Sequence, residues 1–236
     1  MEFSRITNVS LTDLFVQQVE NMILSGAIGV GERLPPAREL SAQMGVSRPV
    51  ISAGLVELEK LGFVEIRPRQ GAFVSDYRRK GTVETLVAIM RYNGGAMRDN
   101  EVTSLLQVRW ALERLCVELI IQSSPQKELE GLAPLLESIA AASSPERCAQ
   151  AVFTFHHELA VLSGNMLLPL LYHSFQPESI YLWTISCRRT GCGALYGVKQ
   201  RLYQALLGKD LEQALMITDQ SIEAAVEQQS GSAPWR

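Results

Sequence analysis

Residues 34–74, LPPARELSAQMGVSRPVISAGLVELEKLGFVEIRPRQGAFV, decide the fold. They read as a short helix, a tight turn, a second helix and two brief strands joined by a basic loop. That succession is a winged helix-turn-helix, which lays its second helix in a DNA major groove. Met44-Gly45-Val46 is the turn, because glycine tolerates the positive φ that a sharp interhelical corner needs. Ser47 is set to cap the second helix. Arg48 and Pro49 fall in its first turn, where proline's missing N–H costs little. Ile51, Leu55, Leu58 and Leu61 recur at helical spacing and predict a buried stripe. Arg48 and Ser52 are left on the outward side, at the end that meets bases and phosphates. Residues 63–67 and 72–75 predict the strands, with Pro68, Arg69, Gln70 and Gly71 at the wing tip. Gly71 lets backbone approach a duplex, and the arginines, Arg67 and Arg69, suit a narrow minor groove.

Upstream, residues 1–9 read as a loose arm. Leu11, Leu14, Phe15, Val19, Met22 and Ile23 form an apolar stripe that predicts a supporting helix ending before Gly26. Residues 29–36 read as a loop delivering the next helix, with Arg38 in that helix's first turn. The net charge of −3 looks wrong for a DNA binder until it is divided. Residues 1–80 hold ten basic and nine acidic side chains, net +1, and the remainder twelve and sixteen, net −4. Between 66 and 80, Arg67, Arg69, Arg78, Arg79 and Lys80 face only Asp76, so the positive field is local, as phosphate binding requires.

Residues 77–85 are polar, basic and interrupted by Gly81, and read as a linker between a head at 1–76 and a second domain at 86–230. From Thr82 onward strand signals vanish. Helices are predicted at 83–92, 101–122, 128–142, 145–162, 166–186, 194–207 and 211–227, with a kink or split at Pro177 and a frayed tail from Gln228. The fold class is mostly α: a winged helix-turn-helix with a two-stranded wing, then an all-α bundle of six to seven helices. Hydrophobic residues at 47% and charged ones at 20% are ordinary for a globular chain. The N-terminus lacks a signal peptide's apolar core and no run reaches transmembrane length, so a cytoplasmic location is expected. Four cysteines without CxxC pairs predict free thiols. Cys187 and Cys192 could be half a metal site, but no second pair in the sequence completes it.

The motifs now resemble a family. Residues 34–41 (LPPARELS), Gly45-Val46-Ser47-Arg48, Leu55-x-x-Leu58-x-x-Leu61-Gly62-Phe63-Val64 and Gln70-Gly71-x-Phe73-Val74 look like the GntR family of bacterial transcriptional regulators. The resemblance implies DNA contacts from Arg38, Ser47, Arg48 and the wing around Gln70 and Gly71. Ser52 stands where that family usually has arginine. Serine still bonds a phosphate or base edge but cannot grip a guanine through two bonds. Further on, Leu106-x-Val108-Arg109-x-x-Leu112-Glu113, Phe155-His156 before Ser163-Gly164-Asn165, and Ala205-Leu206 before Asp210-x-x-x-Ala214 resemble the FadR subfamily. There a helical domain binds a small carboxylate or acyl effector and provides the dimer-forming context.

Many such domains hold a metal through one aspartate and three histidines. By resemblance those places fall on Val152, His156, Lys199 and Ser221. One ligand of four survives, so no metal is expected. Periodicity turns Arg109, His156 and Lys199 inward instead, as cationic donors for an anionic effector, with Arg109 gripping a carboxylate through its planar fork. A plainer reading stands beside it: Arg109 and Glu113 neutralise each other at i,i+4, His156 is a satisfied core residue, and Lys199 snorkels.

The sequence therefore predicts a homodimeric, DNA-binding regulator, repressing by family habit, on an inverted-repeat operator and with no cofactor. No supported Ser/His/Asp or Cys/His arrangement points to an enzyme. A metal-dependent sensor and an effector-blind DNA binder are the alternatives.

Overall fold

The computed structural model describes residues 10–91 and 99–230. The expected N-terminal arm, the break between the helices expected at 83–92 and 101–122, and the tail beyond residue 230 lie outside these. The chain divides into two compact units, Met1–Gly94 and Gly95–Arg236.

In the first unit, α1 (Leu11–Leu24), α2 (Ala37–Met44) and α3 (Arg48–Lys60) precede the antiparallel strands β1 (Val64–Arg67) and β2 (Gly71–Val74). The Ser10 hydroxyl starts α1 by accepting the Asp13 N–H at 3.2 Å. The helix buries Phe15, Val16, Val19 and Ile23, whereas Leu11, Leu14 and Met22 face solvent, which corrects the expected stripe. The reason lies in α3. Gly54 is buried under the Phe15 ring, where a Cβ would come within 2.2 Å of a ring carbon. The two helices thus pivot on Phe15, and overpacking this contact costs about 1–3 kcal/mol.

Gly45 ends α2 in the left-handed region, with φ 67°, as the turn demanded. The Ser41 hydroxyl donates to the Val46 carbonyl at 2.6 Å and closes the corner. Ser47 holds the N-cap position in extended conformation, yet its hydroxyl makes no capping bond. Pro49, at the second helical position, has no N–H to offer it. Of the predicted stripe, Ile51 and Leu58 are fully buried and Leu55 and Leu61 half-buried.

The strands pair Val64 with Val74 through Arg67 with Gly71. Residues 31–34, expected as loop, join this sheet. The Leu34 N–H donates to Ala72 at 2.9 Å, the Val74 N–H to Glu32 at 2.8 Å, and Arg33 bridges Phe73. The edge of β2 thereby finds partners for its backbone groups. Beyond the wing, residues 77–85 form a helical turn, α4 (Tyr77–Lys80), and the start of α5 (Val83–Arg91). Ala88 and Ile89 of α5 pack against the core of the head. The Thr85 hydroxyl donates to the Leu61 carbonyl at 2.5 Å, just past the end of α3.

The second unit is helical: α6 (Asp99–Ser123), α7 (Gln126–Glu130), α8 (Ala133–Ala140), α9 (Pro145–Leu162), α10 (Leu168–Ser174), α11 (Gln176–Thr190), α12 (Cys192–Leu207) and α13 (Leu211–Ser230). Two expected helices are each split, one before Pro134 and one before Pro177, because either proline sits at a helix start and cannot continue a preceding helix. The last helix runs on to Ser230 through the start of the expected frayed tail. Ile120, Leu129, Ile139, Phe155 and Leu206 belong to one fully buried core. Asp219 clasps α13 to α6, accepting from Trp110 Nε1 at 2.6 Å and pairing with Arg114 at 2.8 Å. Lys209 donates to the Ile120 and Ser124 carbonyls at 3.1 and 2.7 Å, a cation on the C-terminal end of α6. Among the described residues no helix is long and apolar enough to cross a membrane.

Candidate nucleic-acid interface and effector site

Arg38, Ser47, Arg48 and Ser52 are all exposed, and the last three lie at the start of α3. The uncommitted Ser47 hydroxyl and the orphan N–H groups of that helix end present donors to an anion such as phosphate. The wing tip carries Arg69 and Gln70, both exposed, with Arg69 itself left-handed at φ 63°. Gly71 has φ 113°, and the Arg33 guanidinium lies across it, 3.1 Å from where a Cβ would be. Arg33 is a basic neighbour of the wing that its place in a supposed loop concealed.

Arg67 stands differently from the other wing residues. It pairs with Glu65 at 3.2 Å and its guanidinium lies 4.4 Å from the Phe73 ring centre. Lys80 reaches the same carboxylate at 3.1 Å, and Arg79 pairs with Asp76 at 3.5 Å. Those two basic side chains beside Glu65 hold its carboxyl below the ordinary range. The positive stretch at 66–80 is thus partly neutralised by a strand neighbour outside the window in which its charges were counted.

In the helical unit the three inward-facing basic side chains do come together, around a carboxylate. Arg109, Glu113, His156 and Lys199 are each at most 5% exposed. Arg109 Nε donates to Glu113 Oε1 at 2.7 Å, the Tyr172 hydroxyl donates to the same oxygen at 3.1 Å, and His156 Nδ1 lies 3.6 Å from it. The Arg109 guanidinium stacks on Trp183 at 4.3 Å, and the His156 ring stacks on the same Trp183 and on Tyr172, at 5.2 and 6.0 Å.

Burial alone would raise the Glu113 carboxyl, but His156, Arg109 and Lys199 pull it down to about 2. Burial disfavours the charge on Arg109, and Glu113 with Tyr172 more than restores it. Burial drives the His156 imidazole well below its usual range, so it is neutral at neutral pH and no cationic donor. Among the described residues, its buried Nε2 has no hydrogen-bond partner. Burial also lowers Lys199, against the pull of Glu113, to about 8.

A cavity of about 260 Å³ opens beside this cluster, walled by α6, α11, α12 and α13. Arg109 and Trp183 line it, together with Ser221, Gln220 and Arg201. Among the described residues, the hydrogen bond of the Arg109 guanidinium runs from Nε to Glu113, and Arg109 also lines the cavity. His156 and Glu113 border a separate void of about 10 Å³ with Tyr172 and Thr218. The four places where a metal would be expected carry a buried valine, a neutral imidazole, an ammonium and a hydroxyl, at Val152, His156, Lys199 and Ser221. That donor set does not fit a divalent ion. The part of Tyr172, and of Glu113 as the hub, needed tertiary structure to be seen.

A reading head with Arg48 at the nose of its second helix, joined to a helical unit that holds a lined cavity, is the layout of a DNA-binding transcriptional regulator. Two sequence families bear this out. "Bacterial regulatory proteins, gntR family" matches residues 12–74, and "FCD domain" matches residues 104–224. The chain belongs to the GntR family, with the FadR-like order of a winged helix-turn-helix followed by an FCD domain. It is similar to the HTH-type transcriptional regulator LutR of Bacillus subtilis, 26% identical over 82% of this chain and 89% of LutR. The Uxu operon transcriptional regulator of Escherichia coli is 27% identical over 87% of this chain and 81% of its own. Mce2R of Mycobacterium tuberculosis is 25% identical over 75% and 73% respectively. Among solved structures, one described as "Lar controls the expression of the Listeria monocytogenes agr system and mediates virulence" shares the fold at a TM-score of 0.60 and 13% identity, over 97% of this chain and 100% of that one.

Proposed function

We propose that this regulator is a cytoplasmic, homodimeric repressor of the FadR subfamily whose hold on an inverted-repeat operator is set by a small anionic effector. The observation that carries the reading is that Arg109, fixed at Nε by Glu113 and stacked on Trp183, lines the cavity. A pre-oriented fork of this kind binds a carboxylate through two bonds and loses little freedom in doing so. At about 260 Å³ the cavity suits a small carboxylate and not a long acyl chain. Lys199 adds long-range attraction, and the unpartnered Nε2 of His156 offers an acceptor to a hydroxyl or water.

On the DNA side, Arg38, Ser47, Arg48, Ser52, Arg69, Gln70 and Gly71 are the contacting set, with Arg67 held back by Glu65. Two heads on a two-fold axis match an inverted repeat. Effector and operator then influence each other by one coupling energy, because each favours one arrangement of the chain. Calorimetry of the full chain against a panel of small mono- and dicarboxylates tests the reading. Binding that vanishes in Arg109→Ala supports it, whereas a carboxylate bound equally well by Arg109→Ala, or long acyl thioesters bound in preference, overturns it.

A further inference from the structure

Cys148, Cys187 and Cys192 come from three different helices and meet. Their sulphurs all lie within 4.8 Å of one another, and Cys187 Sγ is 3.0 Å from Cys192 Sγ. Cys187 sits in the last turn of α11 and Cys192 opens α12, with Gly191 between them at φ 82° making the corner. Cys148 reaches the same point from the start of α9. Cys148 and Cys187 are buried, and Cys192 is half-buried, which leaves a way in from solvent.

From this we propose that Cys148, Cys187 and Cys192 together bind one soft, thiophilic metal ion, separate from the effector cavity and independent of the effector reading. A cation held by thiolates at about 2.3 Å sets neighbouring sulphurs about 3.8 Å apart, within the spread seen here. Soft thiolate donors select Zn(II) or Cu(I) over hard cations. Binding exchanges the thiol protons, which leave to water, for the cation, so it strengthens as pH rises. Two of the sulphurs sit in the opening turns of long helices, α9 and α12, where the backbone dipole favours thiolate charge. Burial raises the Cys148 and Cys187 thiols, the latter to about 11, which keeps them protonated and sluggish toward oxidants until a cation arrives. The two ions differ in what they ask. Cu(I) is content with three sulphurs, whereas Zn(II) takes a fourth ligand, for which water has access on the Cys192 side. Because α11 and α12 also wall the effector cavity, an ion here would pin its rim.

The test uses the full chain, reduced and stripped with a chelator in the absence of air. It is titrated with Co(II) as the coloured stand-in for Zn(II) and, separately, with Cu(I) against a competing chromophoric ligand. One ion per chain is expected, with a thiolate-to-metal charge-transfer band for at least one of them. Cys192→Ser, a mild change at a half-buried position, and Cys148→Ser lose the band, while Cys116→Ser, the fourth cysteine, keeps it. Failure of both ions to bind stoichiometrically overturns the proposal. So does a band that survives in Cys192→Ser and Cys148→Ser alike while their thermal unfolding stays cooperative.

Discussion

Glu113→Gln isolates the charge at the centre of the buried cluster while keeping the shape of the side chain. The carboxyl is held at about 2 against an ordinary 4.5. At 1.36 kcal/mol per unit that difference is worth about 3 kcal/mol of preference for the ionised form in the folded chain. The figure agrees with the loss of about 3–5 kcal/mol found when one partner of a buried ion pair is removed. The amide still accepts from Arg109 and Tyr172, so the lower end applies. For a unit this size, about 2–4 °C per kcal/mol gives a fall of roughly 6–12 °C in melting temperature. Trp183, stacked on both Arg109 and His156, provides the fluorescence signal. Because the folded carboxyl is depressed, its contribution is complete above pH 4.5 and lost as pH falls toward about 2. The gap between parent and variant should therefore be full at neutral pH and narrow in acid. A second readout follows from charge. With its internal rival for Arg109 gone, the variant should be stabilised more than the parent by an added small carboxylate. A melting temperature within about 2 °C of the parent at pH 7 would refute the assignment of Glu113 as the counter-charge that Arg109 and Lys199 require.

Arg48→Ala should weaken binding to a duplex selected from a random pool by about 1–3 kcal/mol in fluorescence anisotropy, and an unchanged affinity would remove α3 from the groove. Arg69→Gly should raise stability by about 1–2 kcal/mol, by relieving the left-handed strain at φ 63°, and at the same time weaken DNA binding. The two effects having the same sign would count against a wing-tip contact. A bound anion favours the charged form of Lys199, so carboxylate affinity should fall as pH rises through about 8, by up to about tenfold per unit. Lys199→Met should flatten that slope, and a parent profile that is already flat would exclude Lys199 from the binding field.

Local patterns were legible and remote contacts were not. Gly45, the Ile51-to-Leu61 spacing and the Gly71 wing are signals written within a few residues, and the turn, the reading helix and the hairpin follow them. Helical periodicity also turned Arg109, His156 and Lys199 inward, where they are. What it could not state was the partner of each. Glu113 is the hub because α6, α9, α10 and α12 converge on it, which no single helix announces. The exposed Leu11 and Leu14 show the same limit, since the face α1 buries is chosen by the missing side chain at Gly54. Arg67 and Lys80 looked like free positive charge until strand pairing brought Glu65 beside them. Cys187 and Cys192 looked like half a site because the third sulphur is thirty-nine residues upstream, at Cys148.

Gly62 has φ 79°, and a Cβ there would come within 2.8 Å of the Thr85 hydroxyl oxygen. That hydroxyl is the one bonded to the Leu61 carbonyl. The absence of a side chain at Gly62 therefore lets Thr85 of α5, the last described helix of the head, come up against the chain just past the end of α3 and bond it. That bond ties the position of α5 to the C-terminal end of α3. Because α3 is a helix of thirteen residues, a rotation at this end is carried as sweep to Arg48 at the other.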